Sequence, residues 1–166
     1  MSAPTTRPLS RRIQARVMRL VNVPMRRVLG LPFRTPLSGR LMLVFLTGRR
    51  TGKSYRQPLS YIRHGDTLLT PGGGRWKLNL RDGQPVRIRL AGHDVLARPD
   101  IVTDTDEIGR LLETMIRVNP RVNTFARIPK TPDGRLDRAG LQTAVRHGFR
   151  IVRWHLDQPA GQPPSA

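Results

Sequence analysis

Between Leu41 and Val102 the chain is cut into short runs of β-forming residues separated by turns of only a few residues, and this spacing constrains the fold more than any other feature. Parallel strands need crossovers of a dozen or more residues, usually helical, whereas antiparallel neighbours need only a tight turn. Leu41–Thr47 (LMLVFLT) is a continuous apolar run suited to a buried strand. Tyr55–Arg63 (YRQPLSYIR) is a second strand, and Pro58 within it implies an edge or a bulge, because proline cannot donate to a ladder. His64-Gly65-Asp66 turns the chain into Thr67–Thr70. After the glycine run Gly72–Gly74 and the segment Trp76–Leu80, Pro85–Leu90 alternates apolar and polar residues, and Ala91–Asp94 turns it into Val95–Val102.

Helical periodicity appears on either side of this region. Leu9–Val21 carries Ile13, Val17, Leu20 and Val21 on one stripe and Arg11, Arg12, Arg16 and Arg19 around it, with Ser10 as its cap. Asp104–Val118 has its apolar face at Ile108, Leu111, Leu112, Met115 and Ile116, with Thr103 or Asp104 capping and acidic residues in the first turn. Leu136–Val145 is a weaker second late helix, and Phe149–Leu156 a final strand. The expected class is α+β, mainly β: about six strands, largely meandering, in a small closed or split barrel with an N-terminal helix and late helices. The expected organisation is a basic leader and amphipathic helix over residues 1–29, one barrel domain over residues 30–157 and a disordered, Pro-rich tail over residues 158–166.

Composition excludes several function classes. The chain has no cysteine, so neither disulfides nor thiolate metal sites are available, and four scattered histidines lack metal-ligand spacing; no metal is expected. The net charge of +19 is unevenly spread: fourteen of the thirty basic residues precede Asp66, the first acidic residue. That asymmetry points to an anionic partner. No stacking aromatics are interleaved among the N-terminal arginines, which argues against nucleic acid. The first helix can instead lie on an anionic membrane surface. With no secretory signal or membrane-length apolar run, the expected location is cytoplasmic, with a peripheral site at the inner face of the membrane as the variant.

The motif richest in chemistry is Thr47-Gly48-Arg49-Arg50-Thr51-Gly52-Lys53-Ser54. It is not a phosphate-binding loop of the Walker type, which places four residues between its glycines and then opens a helix. Here three residues intervene and a strand follows. What remains is a hairpin connection with two glycines that permit close backbone approach, four cations (Arg49, Arg50, Lys53, Arg56) and the hydroxyls of Thr51 and Ser54. Arginine's planar fork matches phosphate and carboxylate oxygens, so the turn is read as an anion site.

Leu41–Tyr61 resembles the signature of the deazaflavin-dependent nitroreductase family, split-barrel oxidoreductases related to the flavin-binding pyridoxamine-phosphate oxidases: an apolar strand, Gly-Arg-Arg-Thr-Gly, a basic residue and a Pro-containing strand. The likeness continues through Gly65-Asp66, Gly72–Leu80 and Pro85–Leu90, and covers roughly residues 30–156. It implies a split β-barrel and coenzyme F-420, a hydride-carrying deazaflavin with a phosphate and glutamate tail, with FMN as the alternative cofactor. By the resemblance, Arg50, Lys53 and Arg56, within Arg49–Arg56, match the basic tail-binding motif; Thr51, Gly52 and Ser54 belong to the same turn. Pro58, Leu59 and Ser60 match the strand edge at the deazaflavin ring, and Trp76, Lys77 and Asn79 the aromatic-and-asparagine element. Lys77 departs from it, standing where a second aromatic is usual, and is read as either an anion contact or a solvated charge.

The implied function is an F-420-dependent reductase passing hydride to a small hydrophobic, quinone-like or nitro substrate, as a monomer or homodimer. The alternatives are a non-catalytic lipid- or cofactor-binding protein of the same fold and a nucleic-acid-binding module. No catalytic side chain is nominated, since the cofactor would carry the chemistry.

Overall fold

The computed structural model describes residues 40–81 and 83–157. The expected first helix, the leader and the C-terminal tail lie outside the described residues. Seven strands form one antiparallel sheet: β1 Leu41–Thr47, β2 Ser54–Ser60, β3 Ile62–His64, β4 Thr67–Gly72, β5 Val86–Leu90, β6 His93–Val102 and β7 Arg150–Leu156. Two helices cover part of it, α1 Thr105–Val118 and α2 Arg138–Arg146.

The sheet order is β2-β1-β5-β6-β7-β4-β3, so the strands do not simply meander. β1 pairs with β5 rather than being an edge, and β7 inserts between β6 and β4. The two outermost strands, β2 and β3, are consecutive in the chain and separated only by Tyr61. A sheet whose edges are joined by one residue must curl on itself, which produces the split barrel. β3 pairs with β4 only up to Leu69, so the far end of β4 is left beside β2 without a ladder partner on that side.

β4, β6 and β7 feed two cores, because both of their faces are covered. Inside the curl lie Met42, Val44, Leu59, Leu68, Ile88, Ala97, Val152 and Trp154. Leu69, Val102 and Ile151, one residue out of phase, point the other way and pack with Ile108, Leu112 and Met115 of α1. This explains why β4 and β7 carry adjacent buried residues, Leu68 with Leu69 and Ile151 with Val152, rather than strict alternation. Trp154 is fully buried and its indole N–H donates to Thr70 Oγ1 at 3.1 Å, satisfying the polar atom it carries into the core.

α1 starts where the sequence places it. Asp104 caps it by accepting from Glu107 N at 2.8 Å, and its stripe of Ile108, Leu111, Leu112 and Met115 is buried. Arg153, on the helix-facing side of β7, donates to Asp100 of β6 at 3.0 Å and to Glu107 of α1, tying two strands to the helix. No helix among the described residues is long and apolar enough to cross a membrane.

Candidate functional site

Two residues shape the hairpin between β1 and β2. Gly48 N donates to Lys53 O and Gly52 N to Gly48 O, both at 2.8 Å, and Gly52 sits at φ +65°, a conformation that favours glycine. A Cβ on Gly48 would come within 2.7 Å of Thr51 Oγ1, so the turn is packed tightly on itself. Arg49, Arg50, Lys53 and Arg56 are exposed around it, as are Thr51 and Ser54. None of the four cations enters a salt bridge among the described residues.

Asn79 holds this turn from outside. It ends a 3-10 turn, Trp76–Asn79, thirty residues away in sequence, and its Oδ1 accepts from Arg49 N at 2.9 Å. Its amide nitrogen donates to the Tyr55 hydroxyl and, at 3.1 Å, to Trp76 O. The side chain therefore spends both ends on protein groups: it braces the hairpin against β2 and the 3-10 turn. Burial pushes the Tyr55 hydroxyl pKa up, with the Asn79 hydrogen bond opposing the shift.

Beside the hairpin is an open cavity of about 460 Å³, lined among others by Gly48, Arg49, Gly52, Asn79, Arg81 and Arg87. Arg81 and Arg87 were not among the sequence-derived candidates, although the alternation of β5 already put Arg87 and Arg89 on one face. No described residue lining this cavity is acidic. On the adjoining outer face of the sheet the Arg87 guanidinium lies 3.8 Å over the Phe45 ring, with those of Arg56 and Arg89 at 5.6 and 5.9 Å. Asp94 supplies the counter-charge there, accepting from Arg89 at 2.5 and 2.9 Å. Those hydrogen bonds from Arg89, with the charges of Arg87 and Arg56 behind them, hold its carboxyl below the ordinary aspartate value against a smaller desolvation effect.

The remaining candidates separate into edge and support. Tyr61 N donates to Arg40 O and Gly48 N to Lys53 O, which fixes the ladder so that residues 55, 57 and 59 bond to β1. The backbone groups of Ser54, Arg56, Pro58 and Ser60 consequently face the free edge of β2, where the missing Pro58 N–H costs no ladder bond. Pro58 and Leu59 are buried and Ser60 is half-buried, Leu59 inside the barrel. Trp76 turns inward as well. Its ring stacks on Trp154 at 6.3 Å between centroids and 11° between planes, and its indole N–H donates to Gly73 O.

Lys77 is half-buried, and its ammonium donates to Gly72 O at 2.9 Å and Gly74 O at 2.7 Å, fastening the glycine run. Burial, then the nearby Arg150 charge, lowers its pKa. Among the described residues no group of three His, Asp or Glu is placed to hold a metal ion.

The donor set fits a polyanionic, phosphate-bearing group: four exposed cations on one hairpin, flanking hydroxyls and a neighbouring cavity with no acidic residue among its described lining. The chain matches the F420H2-dependent quinone reductase family over residues 15–131. No curated protein matches it. Similar solved structures include a protein of unknown function from Agrobacterium tumefaciens, 13% identical with a TM-score of 0.51, the match covering 95% of this chain and 58% of that one. An F420-H2 dependent reductase is 12% identical with a TM-score of 0.45, covering 69% and 93% of the two chains. An FAD-binding protein from Mesorhizobium loti is 13% identical with a TM-score of 0.43, covering 72% and 82%. At these identities the structural likenesses concern the fold alone.

Proposed function

Because the chain belongs to the F420H2-dependent quinone reductase family, and is therefore an F-420-dependent oxidoreductase, we propose that its Gly48–Arg56 hairpin grips the cofactor's acidic tail while the barrel presents the ring to a hydrophobic, quinone-like acceptor. The observation carrying this reading is the braced hairpin, whose exposed Arg49, Arg50, Lys53 and Arg56 enter no salt bridge among the described residues, beside the cavity that Arg49, Asn79 and Arg81 help to line. When bound, the reduced deazaflavin supplies a hydride. The protein's part is to hold and orient.

Within this reading each candidate residue has a distinct task. Arg50, Lys53 and Arg56 offer charge-assisted hydrogen bonds to phosphate and carboxylate oxygens, with Thr51 and Ser54 adding hydroxyl donors. Gly52 lets the backbone turn without a side chain in the way. Backbone groups of Pro58 and Ser60 at the free edge of β2 are the polar atoms next to the split of the barrel. Leu59 and Trp76 support that edge from the interior, and Asn79 and Lys77 fix the two loops that flank it.

The test is titration of the purified full chain with F-420 and, in parallel, FMN. F-420 should bind and FMN should bind more weakly. Arg50→Ala and Lys53→Ala should each cost about 1.5 kcal/mol, roughly tenfold in Kd, with little change in melting temperature because neither group holds the fold. Unchanged F-420 affinity in the double variant would overturn the assignment of the tail to this turn.

A further inference from the structure

A second group of cations, Arg75, Lys77 and Arg150, lies at the end of the barrel. An open cavity of about 610 Å³ lies there between Gly73–Leu78, the end of β6, and the segment from the end of α2 to the start of β7. That volume lies within the usual range for small-molecule sites. Its apolar wall is Leu78, Ile101, Ala126, Ala144 and Phe149, and Leu78 is 47% exposed at the cavity, a large apolar side chain left in contact with water. Its polar wall is Lys77 and Arg150, with Arg75 and His147 nearby, and no described residue lining it is acidic.

The placement of the two inner cations follows from the fold. Arg150 pairs with Gly72 across the β4–β7 ladder, and it shares the parity of Val152 and Trp154, which point into the barrel. Gly72 is needed for that approach, since a Cβ there would come within 2.8 Å of Arg150 O. One Arg150 nitrogen, Nη1, is held by Val145 O at 2.8 Å and Phe149 O at 2.7 Å. Lys77 is held by two glycine carbonyls, which leaves one of its three N–H groups to offer. Neither residue enters a salt bridge among the described residues. Two like charges are thus fixed by backbone carbonyls beside an apolar wall, and the depressed Lys77 pKa reports the unfavourable side of that arrangement. An anion bound between them would remove the repulsion.

We propose that this barrel-end cavity binds a compact amphipathic monoanion, with its carboxylate or phenolate oxygen between Lys77 and Arg150 and its ring-sized apolar body on Ile101, Ala144 and Phe149. It is a ligand site additional to the cofactor grip and to the quinone-like acceptor of the proposed function. Lys77 and Arg150 then act as specificity-determining residues.

The experiment uses the full chain without cofactor and a matched pair of probes, 2-naphthoate and the uncharged 2-naphthamide, measured by calorimetry or ligand-detected NMR. Naphthoate should bind at least tenfold more tightly than the amide. Arg150→Gln should bring it to the amide's level, Ala144→Trp should abolish both by filling the cavity, and Lys53→Ala should change neither. Equal affinities for acid and amide, no binding at millimolar concentration, or naphthoate binding that survives Ala144→Trp would each overturn the proposal. Should Ala144→Trp fail to fold, the acid–amide comparison on the unaltered chain and on Arg150→Gln still decides the matter. F-420 titration of the same samples separates the two readings: cofactor binding without naphthoate binding defeats only this inference, and the reverse defeats only the assignment of the cofactor.

Discussion

Asn79→Ala tests whether the asparagine touches the ligand or only builds its site. The wild-type side chain makes hydrogen bonds to Arg49 N, the Tyr55 hydroxyl and Trp76 O, at a half-buried position. A net hydrogen bond contributes about 0.5–1.5 kcal/mol, and the lower half of that range applies where water can replace a lost partner. Three such bonds give about 2 kcal/mol, which in a chain of this size lowers the melting temperature by roughly 4–8 °C. Tyr55→Phe removes only one of the three and should give about a third of that shift. Releasing Arg49 N frees the hairpin, so binding must then order it at a cost of about 1 kcal/mol, roughly fivefold in F-420 affinity. The assay is a thermal melt paired with an F-420 titration of each variant. A melting temperature within about 1 °C of wild type would refute the bracing role. A hundredfold loss of affinity without destabilisation would make Asn79 a direct ligand of the cofactor instead.

Two further substitutions probe backbone and charge. Gly52→Ala places a Cβ in open space but at φ +65°, so only backbone strain opposes it; stability should fall by about 1 kcal/mol and F-420 affinity with it. Gly134→Ala, at φ +82° and equally unobstructed, should cost similar stability and leave F-420 affinity intact, as seen by the same two assays. Asp94 has a folded pKa below its ordinary value, so its contribution to stability is present above that ordinary value and is lost as pH falls through the folded one. Melting temperatures of wild type and Asp94→Asn should therefore differ at neutral pH and converge in acid, and a difference that persists at low pH would show that the ion pair with Arg89 is not its source.

The strands and the capped helix were legible because their determinants are local. Alternation and turn residues mark β5 and β6, and Asp104 with the Ile108–Met115 stripe marks α1. Pro120–Ala126, read without any element, forms a 3-10 turn followed by a single helical turn, too short for any period to register. The strand order was not legible, since the pairing of β1 with β5 and of β4 with β7 is set by closure of the sheet rather than by either strand's own residues. The turn at Gly48–Arg56 could be found from its density of donors. The bracing of Arg49 N by Asn79 could not, because the two residues are thirty apart and an asparagine carries no mark of its partner. The anchoring of Lys77 was hidden for a related reason: only the fold puts two glycine carbonyls around its ammonium.

Charge shows the same division between local and global information. A chain of net charge +19 with eleven carboxylates must leave many cations unpaired, so an unpaired arginine by itself carries little meaning. The fold decides where the carboxylates go. Asp94, Asp100, Asp106, Glu107, Asp133 and Asp157 each meet an arginine, mostly along β5, β6, β7 and the helices. Arg63 and Arg121 lie outside these pairs, yet both are exposed, and exposed charges of this kind are stabilised by water. The hairpin differs because its four cations lie within eight residues of one another on a turn fixed from outside by Asn79. The barrel end differs because Lys77 and Arg150 are partly buried, anchored by backbone carbonyls and close enough to repel. At the barrel end folding assembles positive charge at some cost without a carboxylate to offset it, and a bound anion is the partner that would recover that cost.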